Sequence, residues 1–353
     1  MTRVPGDPFL PFETRRTLLR PLGPDDAAAL AAYRNDPHVA KFQDWELPFS
    51  EEAATALIAA QADLTGPAAG RWIQIGIEHD RELVGDLAIG LDPSGALATL
   101  GHTLRADRQG RGLAIEAVGA AVDRLFALTG VHRVGATLDP DNVGSARLLE
   151  RLGFRYEGRA VSAAPVRGAW LDDDRYALLT SDRAAWLARA TNRPARVRLV
   201  HIDRDNLPQL TAITLQPSQE RYAQSVRDAL LEVLVPPIEH GVTQTLGARA
   251  VEADGEIVGL VLANQATAVN LDPDVVWLII DRWHQRRGIG TAVIRLLAEV
   301  ERRDDQESLW ARWPVEAAGI RRFFEAVGFV VVGEVDGRAE ARLDLDPPPP
   351  DLA

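Results

Sequence analysis

Two short segments of the 353-residue chain combine glycine and polar residues in a way that suits anion binding: Gln109-Gly110-Arg111-Gly112-Leu113-Ala114 and Gln285-Arg286-Arg287-Gly288-Ile289-Gly290. Glycines in such a turn let successive backbone N–H groups converge on one concave point. The helix that each segment opens adds a partial positive charge and unpaired donors at its N-terminus. Together these can hold a diphosphate without a lysine. No Gly-Lys-Ser/Thr follows either segment, which excludes a Walker A loop. Neither completes G-x-G-x-x-G at the start of a βαβ unit, so a Rossmann dinucleotide site fits poorly.

The residue inventory narrows the chemistry further. There are no cysteines, which excludes disulfides, thiolate metal sites and a covalent cysteine intermediate. The seven histidines are scattered without i, i+3 or i, i+4 partners, so no metal site is expected. A net charge of -12 repels phosphate backbones and anionic bilayers, and neither nucleic acid nor membrane is expected as a partner. Apolar runs such as Val275 to Ile280 fall far short of the ~20 residues a bilayer span needs, and a cytoplasmic location is expected.

The elements that must position the two loops repeat as well. Each loop is followed by a long apolar-periodic helix, through Phe126 in one case and Val300 in the other. Farther on come Glu150-Arg151-Leu152-Gly153-Phe154 and Glu325-Ala326-Val327-Gly328-Phe329, and the copies lie about 175 positions apart. A duplicated domain is therefore expected, with boundaries at 1–193 and 194–345 and a proline-rich disordered tail at 346–353. In the first copy, Thr17 to Leu22 reads as a strand. Pro24-Asp25-Asp26 opens an alanine-rich helix to Arg34, and a second helix starts after Ser50. Arg71 to Glu78, Leu83 to Gly90 and Leu97 to Leu104 read as an antiparallel meander, followed by the loop, its helix, a strand at Arg133 to Leu138 and a helix from Val143 to Leu152. The second copy repeats this order with Val197 to His201, helices between Leu207 and Leu234, and strands at Gln244 to Glu252, Glu256 to Asn264 and Val275 to Ile280. Asp182 to Ala190, between the copies, is expected to be helical.

Strand, Gln-x-x-Gly-x-(Gly/Ala), long helix, strand, short helix and Gly-Phe, present twice, resembles the GNAT superfamily of acetyl-CoA-dependent N-acetyltransferases over nearly the whole chain. The first copy resembles the RimJ/RimL-type branch that acetylates ribosomal-protein N-termini. It does so through Leu83-Val84-Gly85-Asp86, Gly101-His102-Thr103-Leu104, Gln109 to Ala114, Asp139 to Leu149, Gly153-Phe154 and Arg167-Gly168-Ala169-Trp170. The second copy is more loosely similar to bacterial spermine/spermidine acetyltransferases through Pro217-Ser218-Gln219-Glu220, Ile257-Val258-Gly259, Ile279-Ile280-Asp281, Gln285 to Gly290 and Gly333-Glu334. The fold implied is α/β (α+β): two tandem domains, each a mixed, mostly antiparallel sheet flanked by helices.

The resemblance implies direct transfer of an acetyl group from acetyl-CoA to a primary amine, either a small cationic metabolite or a protein N-terminus, with the chemistry in the N-terminal half. The competing expectation is a non-catalytic acyl-CoA-binding sensor or scaffold. A homodimer is a further expectation. The coenzyme contacts implied are Leu104, Gln109, Gly110, Arg111, Gly112, Leu113, Ala114, Asn142 and Ser145 in the first copy. In the second they are Ile280, Gln285, Arg286, Arg287, Gly288, Ile289, Gly290 and Thr291.

Direct transfer rests on positioning and on the removal of one proton. Ser145 is the candidate to protonate the leaving sulfur; helix capping accounts equally well for Asn142 and Ser145. His102, where relatives carry an aromatic residue, is the candidate base, with a packed histidine as its alternative. Asp86 is the other candidate base, its alternative being a solvated carboxylate near a turn. Asp44 and Glu46 lie where acceptors enter and can attract a cationic amine. The family's tyrosine acid is replaced by Leu149 in the first copy and Phe324 in the second, where Ala317 also stands in place of Asn142.

Overall fold

The computed structural model describes residues 8–236, 238–239, 242–243, 245–264, 273–304 and 306–345; the tail from 346 lies outside them. The chain divides between Ala188 and Arg189 into two compact units. The first runs β1 (Phe12–Glu13), β2 (Leu18–Pro21), α1 (Ala27–Arg34), α2 (Pro37–Ala40), α3 (Glu51–Ala59), β3 (Trp72–His79), β4 (Glu82–Leu91), β5 (Leu97–Leu104), α4 (Leu113–Leu128), β6 (Arg133–Leu138), α5 (Val143–Leu152), β7 (Arg155–Val166), β8 (Ala169–Leu179) and α6 (Thr180–Ala188). The second runs β9 (Val197–Val200), α7 (Leu207–Thr211), α8 (Pro217–Glu220), α9 (Val226–Leu234), β10 (Ile238–Glu239), β11 (Val242–Thr243), β12 (Leu246–Ala253), β13 (Glu256–Asn264), β14 (Asp274–Ile280), α10 (Ile289–Arg303), β15 (Ser308–Pro314), α11 (Ala318–Ala326), β16 (Val330–Val335) and β17 (Arg338–Asp344).

The repeat read in the sequence is a repeat of topology. The first sheet has the order β1-β2-β3-β4-β5-β6-β8-β7, and the second, read from its other edge, is β9-β12-β13-β14-β15-β17-β16. Apart from β1, every strand of the first sheet has a counterpart in the second. All pairings are antiparallel except β5 with β6 and β14 with β15. These are mixed α/β sheets flanked by helices, as the sequence leads one to expect.

The long helices form where the apolar period is 3.6. In α4, Leu113, Ala117, Val118, Ala121, Val122 and Leu125 make one fully buried stripe against the sheet. In α10, Ile289, Val293, Ile294, Leu297 and Ala298 do the same. Burial of one such valine or leucine side chain contributes about 1.5–3 kcal/mol. The opposite face of the first sheet is covered by α1 and α3, through Leu30, Tyr33, Ala54 and Ile58 against Leu22 and Leu83.

Both units carry the same irregularity beside the loop. In β4, Val84 is an extra residue between the pairs Ile77↔Gly85 and Glu78↔Leu83; in β13, Val258 is extra between Val251↔Gly259 and Glu252↔Ile257. The bulge draws the next glycine against its neighbour strand. A Cβ on Gly85 would lie 2.2 Å from the Thr103 carbonyl oxygen, and one on Gly259 2.4 Å from that of Ile279. Only glycine fits at either place.

Candidate active site

In each unit the two parallel strands pair briefly and then part. Strand β5 pairs with β6 only at Leu97↔Arg133, Ala98↔Val134 and Thr99↔Gly135, and β14 pairs with β15 only at Asp274↔Trp310 and Val275↔Ala311. Beyond these pairs β5 runs on through residues 100–104, and the backbone on its β6 side has no ladder partner. An extended ligand with amide groups can hydrogen-bond there, as an added strand does.

The anion loops lie at the open end of this gap. Gly110 and Gly112 have φ of 73° and 78°; Arg286 and Gly288 have φ of 65° and 75°. Positive φ turns the neighbouring N–H groups to one side, and Gly112 and Gly288 are the N-caps of helices of 16 and 15 residues. A Cβ on Gly110 would meet nothing within 4 Å, so the loop faces open space. Arg286 holds the left-handed conformation without being glycine, a strain of the order of 1 kcal/mol found mostly at functional loops.

The motif glutamines hold the loops in place. Gln109 Nε2 donates to the Leu104 carbonyl at 2.9 Å, and Gln285 Nε2 donates to the Ile280 carbonyl at 2.9 Å. Each side-chain amide ties the loop to the last residue of the strand before it. Gly290 serves packing, since a Cβ there would press on the Phe323 ring at 3.2 Å.

The short helix after the gap differs between the units. Asn142 caps α5, its Oδ1 accepting from the Ser145 N–H at 3.1 Å, so the capping role is realised. The Ser145 hydroxyl makes no hydrogen bond among the described residues. Leu149 is buried and inert. In the second unit Ala317 caps α11 with no side-chain bond. Phe324 there lies stacked on Trp313 at 5.0 Å between centroids and edge-on to Phe323 and Phe329 at 5.1 and 5.0 Å. Trp313 is only 1% exposed. This part of the second unit is an aromatic core.

The candidate acids and bases of the first unit fall on different faces of the sheet. His102 lies on β5 beyond its last pairing with β6, on the same side as Leu100 and Leu104. Burial lowers its imidazole from the ordinary 6.5 to about 4, so it is neutral at neutral pH. An unfolded chain takes up a proton here below pH 6.5, and the folded one only near 4. The contribution to stability is therefore complete above about 6.5 and is lost as pH falls towards 4. His102→Gln is expected to remove this loss, so that the drop in urea midpoint between pH 7 and pH 5 becomes smaller than in the parent. An equal drop in both would show that the ring is not shielded.

Asp86, by contrast, is not a solvated carboxylate. It is 2% exposed; its Oδ1 accepts from the Tyr33 hydroxyl at 2.5 Å and its Oδ2 from Arg34 Nη2 at 3.1 Å. Burial pushes its carboxyl up, against the pull of Arg34 and Tyr33. Burial and the charge of Asp86 together keep the Tyr33 hydroxyl protonated. The Arg34 guanidinium lies over the rings of Trp45 and Phe49, 4.5 and 4.8 Å from their centroids. Trp45 Nε1 donates to the Arg34 carbonyl, and Asn35 exchanges hydrogen bonds with the backbone of Phe49. This network fixes the loop before α3 and leaves Asp44 and Glu46 exposed. Tyr33 and Arg34 were not among the residues singled out from sequence; an Arg beside a Tyr at a helix end, in a chain with an acidic residue inside an apolar strand, was the available signal.

A cleft of about 520 Å³ lies in the second unit, lined by Gln209, Ile213, Glu256, Asp281, Trp283 and His284 among others. It borders the chain between the end of β14 and the second loop, and the Asp281 carboxylate is spent on the N–H groups of Thr214 and Trp283. Among the described residues no group of His, Asp and Glu could hold a metal, and no helix is long and apolar enough to cross a membrane.

Comparison with known proteins accounts for the duplicated geometry. Residues 16–155 match the model of the acetyltransferase (GNAT) domain, and residues 207–329 match that of the acetyltransferase (GNAT) family, together about three quarters of the chain. The N-acetyltransferase YoaA of Bacillus subtilis is 32% identical over 151 residues, which span 42% of this chain and 84% of that protein. The chain belongs to the GNAT acetyltransferases. It is similar also to the ribosomal protein uS5 alanine N-acetyltransferase of Escherichia coli, 39% identical over 83 residues, 24% of this chain and 43% of that relative. Among solved structures, Mycobacterium smegmatis RimJ in complex with CoA-disulfide is 28% identical with a TM-score of 0.44, covering 50% of this chain and 90% of that one. The match over the second half is to the GNAT family at large.

As a tandem GNAT protein the chain is an acyltransferase, and acetyl-CoA is the cofactor of its family. Both loops fit that group by their own chemistry. Inward N–H groups at a long helix's start suit a diphosphate, and the unpaired edge of the parted strand suits the amides of a pantetheine arm. The residues that would hold it are 109–114 and 285–291, with the backbone of 100–104 and 276–280.

Proposed function

We propose that the first unit transfers an acetyl group from acetyl-CoA to a primary amine, and that the second holds coenzyme without turning it over. The observation that carries this reading is the difference at the short helix. Asn142 caps the short helix of the first unit and Ser145 keeps an uncommitted hydroxyl, whereas the matching positions of the second unit are Ala317, which caps α11 without a side-chain bond, and Ile320. Neither alanine nor isoleucine has a proton to give.

Acetyl-CoA supplies the acyl group and a thiolate that must be protonated on leaving. In the first unit Ser145 is placed to give that thiolate a proton or a hydrogen bond. His102, neutral at physiological pH, is the base that can take a proton from the acceptor, directly or through water. Asp86 positions the acceptor loop through Arg34 and does not itself take the proton. Exposed Asp44 and Glu46 draw the cationic amine to that loop.

The similarity to a ribosomal-protein alanine N-acetyltransferase favours a protein N-terminus as acceptor, and the net charge of -12 favours a small cationic amine. Thiol release from acetyl-CoA by the full chain, with N-terminal peptides and small amines offered separately, decides between them. His102→Gln and Ser145→Ala are each expected to lower kcat by about 10²-fold or more, the usual worth of a positioned proton-transfer group. Turnover unchanged in both would remove these residues from the mechanism. Coenzyme binding with no thiol release for any amine would instead favour a sensor or scaffold.

A further inference from the structure

We infer that each unit completes its diphosphate cradle with an arginine carried by the chain segment just before β2 or its counterpart β9: Arg16 in the first unit and Arg193 in the second. The inference rests on the reading that both loops hold coenzyme A. Neither residue belongs to the glycine motif.

Arg193 is exposed, and among the described residues it makes no hydrogen bond or ion pair. Yet it lies directly on the loop. Its Nε is 3.1 Å, and its Nη2 3.6 Å, from where a Cβ on Gly288 would be. The backbone next to it is pinned there, because the Asn192 carbonyl accepts from Arg287 Nε at 2.9 Å and Arg287 is itself buried. The chain thus brings a guanidinium to the mouth of an anion nest and gives it nothing to pair with. A guanidinium presents two parallel donors that match diphosphate oxygens, and it adds a full charge to those of the loop's own arginines.

Arg16 occupies the matching place with one added feature. Its Nε binds Glu116 Oε2 at 2.7 Å and its Nη1 the Arg111 carbonyl at 2.8 Å, while Nη2 makes no hydrogen bond among the described residues and sits 3.3 Å from the Gly112 Cβ position. Glu116, in the first turn of α4, is also held by the Thr14 hydroxyl and the Arg16 N–H. A carboxylate so near a helix N-terminus opposes a bound anion, and Arg16 offsets it. The second unit has Ala292 at the corresponding position and needs no such offset.

The test is calorimetric titration of the full chain with CoA and with dephospho-CoA, one loop being blocked at a time by Gly112→Asp or Gly288→Asp. With the first loop blocked, Arg193→Gln is expected to weaken both ligands about tenfold and to flatten the salt dependence, with Arg193→Lys recovering part of the loss. With the second loop blocked, Arg16→Gln is expected to weaken binding and Glu116→Gln to strengthen it. A merely structural Arg16–Glu116 contact would instead move both variants the same way. The inference is overturned by unchanged affinity in Arg193→Gln, by a loss confined to CoA and absent with dephospho-CoA, or by Arg16→Gln and Glu116→Gln shifting together. Failure of the parent chain to bind either ligand would overturn the coenzyme reading as well, and is thereby distinguishable.

Discussion

Gly112→Asp is expected to abolish coenzyme binding to the first unit and, with it, thiol release from acetyl-CoA for every amine, whereas Gly288→Asp leaves turnover within a few-fold of the parent. Three effects add at position 112. The backbone φ of 78° penalises any residue with a Cβ, aspartate less than most. The new Cβ arrives 3.3 Å from Arg16 Nη2, so the carboxylate pairs with the guanidinium that would otherwise meet the diphosphate. The largest effect is charge: two unit negative charges about 4 Å apart repel by about 4 kcal/mol at an effective dielectric of about 20, close to a thousandfold in affinity. The same substitution at Gly288 blocks the loop of the unit proposed to hold coenzyme without turning it over, so it is expected to remove binding without removing chemistry. Calorimetry and thiol release measured on both variants check this. Turnover that survives Gly112→Asp but fails in Gly288→Asp would place the chemistry in the second unit and overturn the assignment.

What the sequence made legible follows from what side chains encode. The meander of β3 to β5 is readable because Ile73, Ile75 and Ile77 alternate, and α4 and α10 because their apolar residues recur every three to four positions. The anion loops are readable because positive φ demands glycine at Gly112 and Gly288. The helix expected at Asp182 to Ala190 forms two residues earlier, at Thr180–Ala188, where Asp182 instead accepts from the Leu179 N–H. The parting of β5 from β6 had no such signal: it is a place where backbone pairing stops, and no residue type records that. The close approach at Gly85 was visible as a motif but not as a cause, since the cause is the extra residue Val84 in the same strand. The reading of Gln109 and Gln285 within a coenzyme loop likewise could not tell a ligand contact from an anchor to the preceding strand. For Asp86 the missing information was its partners, which lie more than fifty residues earlier on α1.

Those partners set the second large effect. Asp86→Ala is expected to cost about 3–5 kcal/mol of stability, because it leaves the Arg34 guanidinium, 5% exposed, as an uncompensated buried charge and strips the Tyr33 hydroxyl of its acceptor. Arg34 already has its Nε buried without a hydrogen-bond partner, so no other donor or acceptor stands ready to replace the carboxylate. Removing both charges at once behaves differently: Arg34→Leu with Asp86→Leu is expected to recover much of the loss, since two apolar side chains of ordinary size can fill the site between α1 and β4. Urea denaturation of the parent, the single and the double variants measures the coupling between the two residues. A catalytic base would give the opposite pattern, with Asp86→Asn folding as well as the parent and losing turnover per folded molecule by 10²-fold or more. Both carboxylate oxygens accept from donors, one from a phenol and one from a guanidinium, and at 2% exposure the group is closed off from an incoming amine. The pair therefore fastens α1 and the loop bearing Asp44 and Glu46 to the sheet, and on the function proposed above its contribution to activity is that of a fixed acceptor entrance.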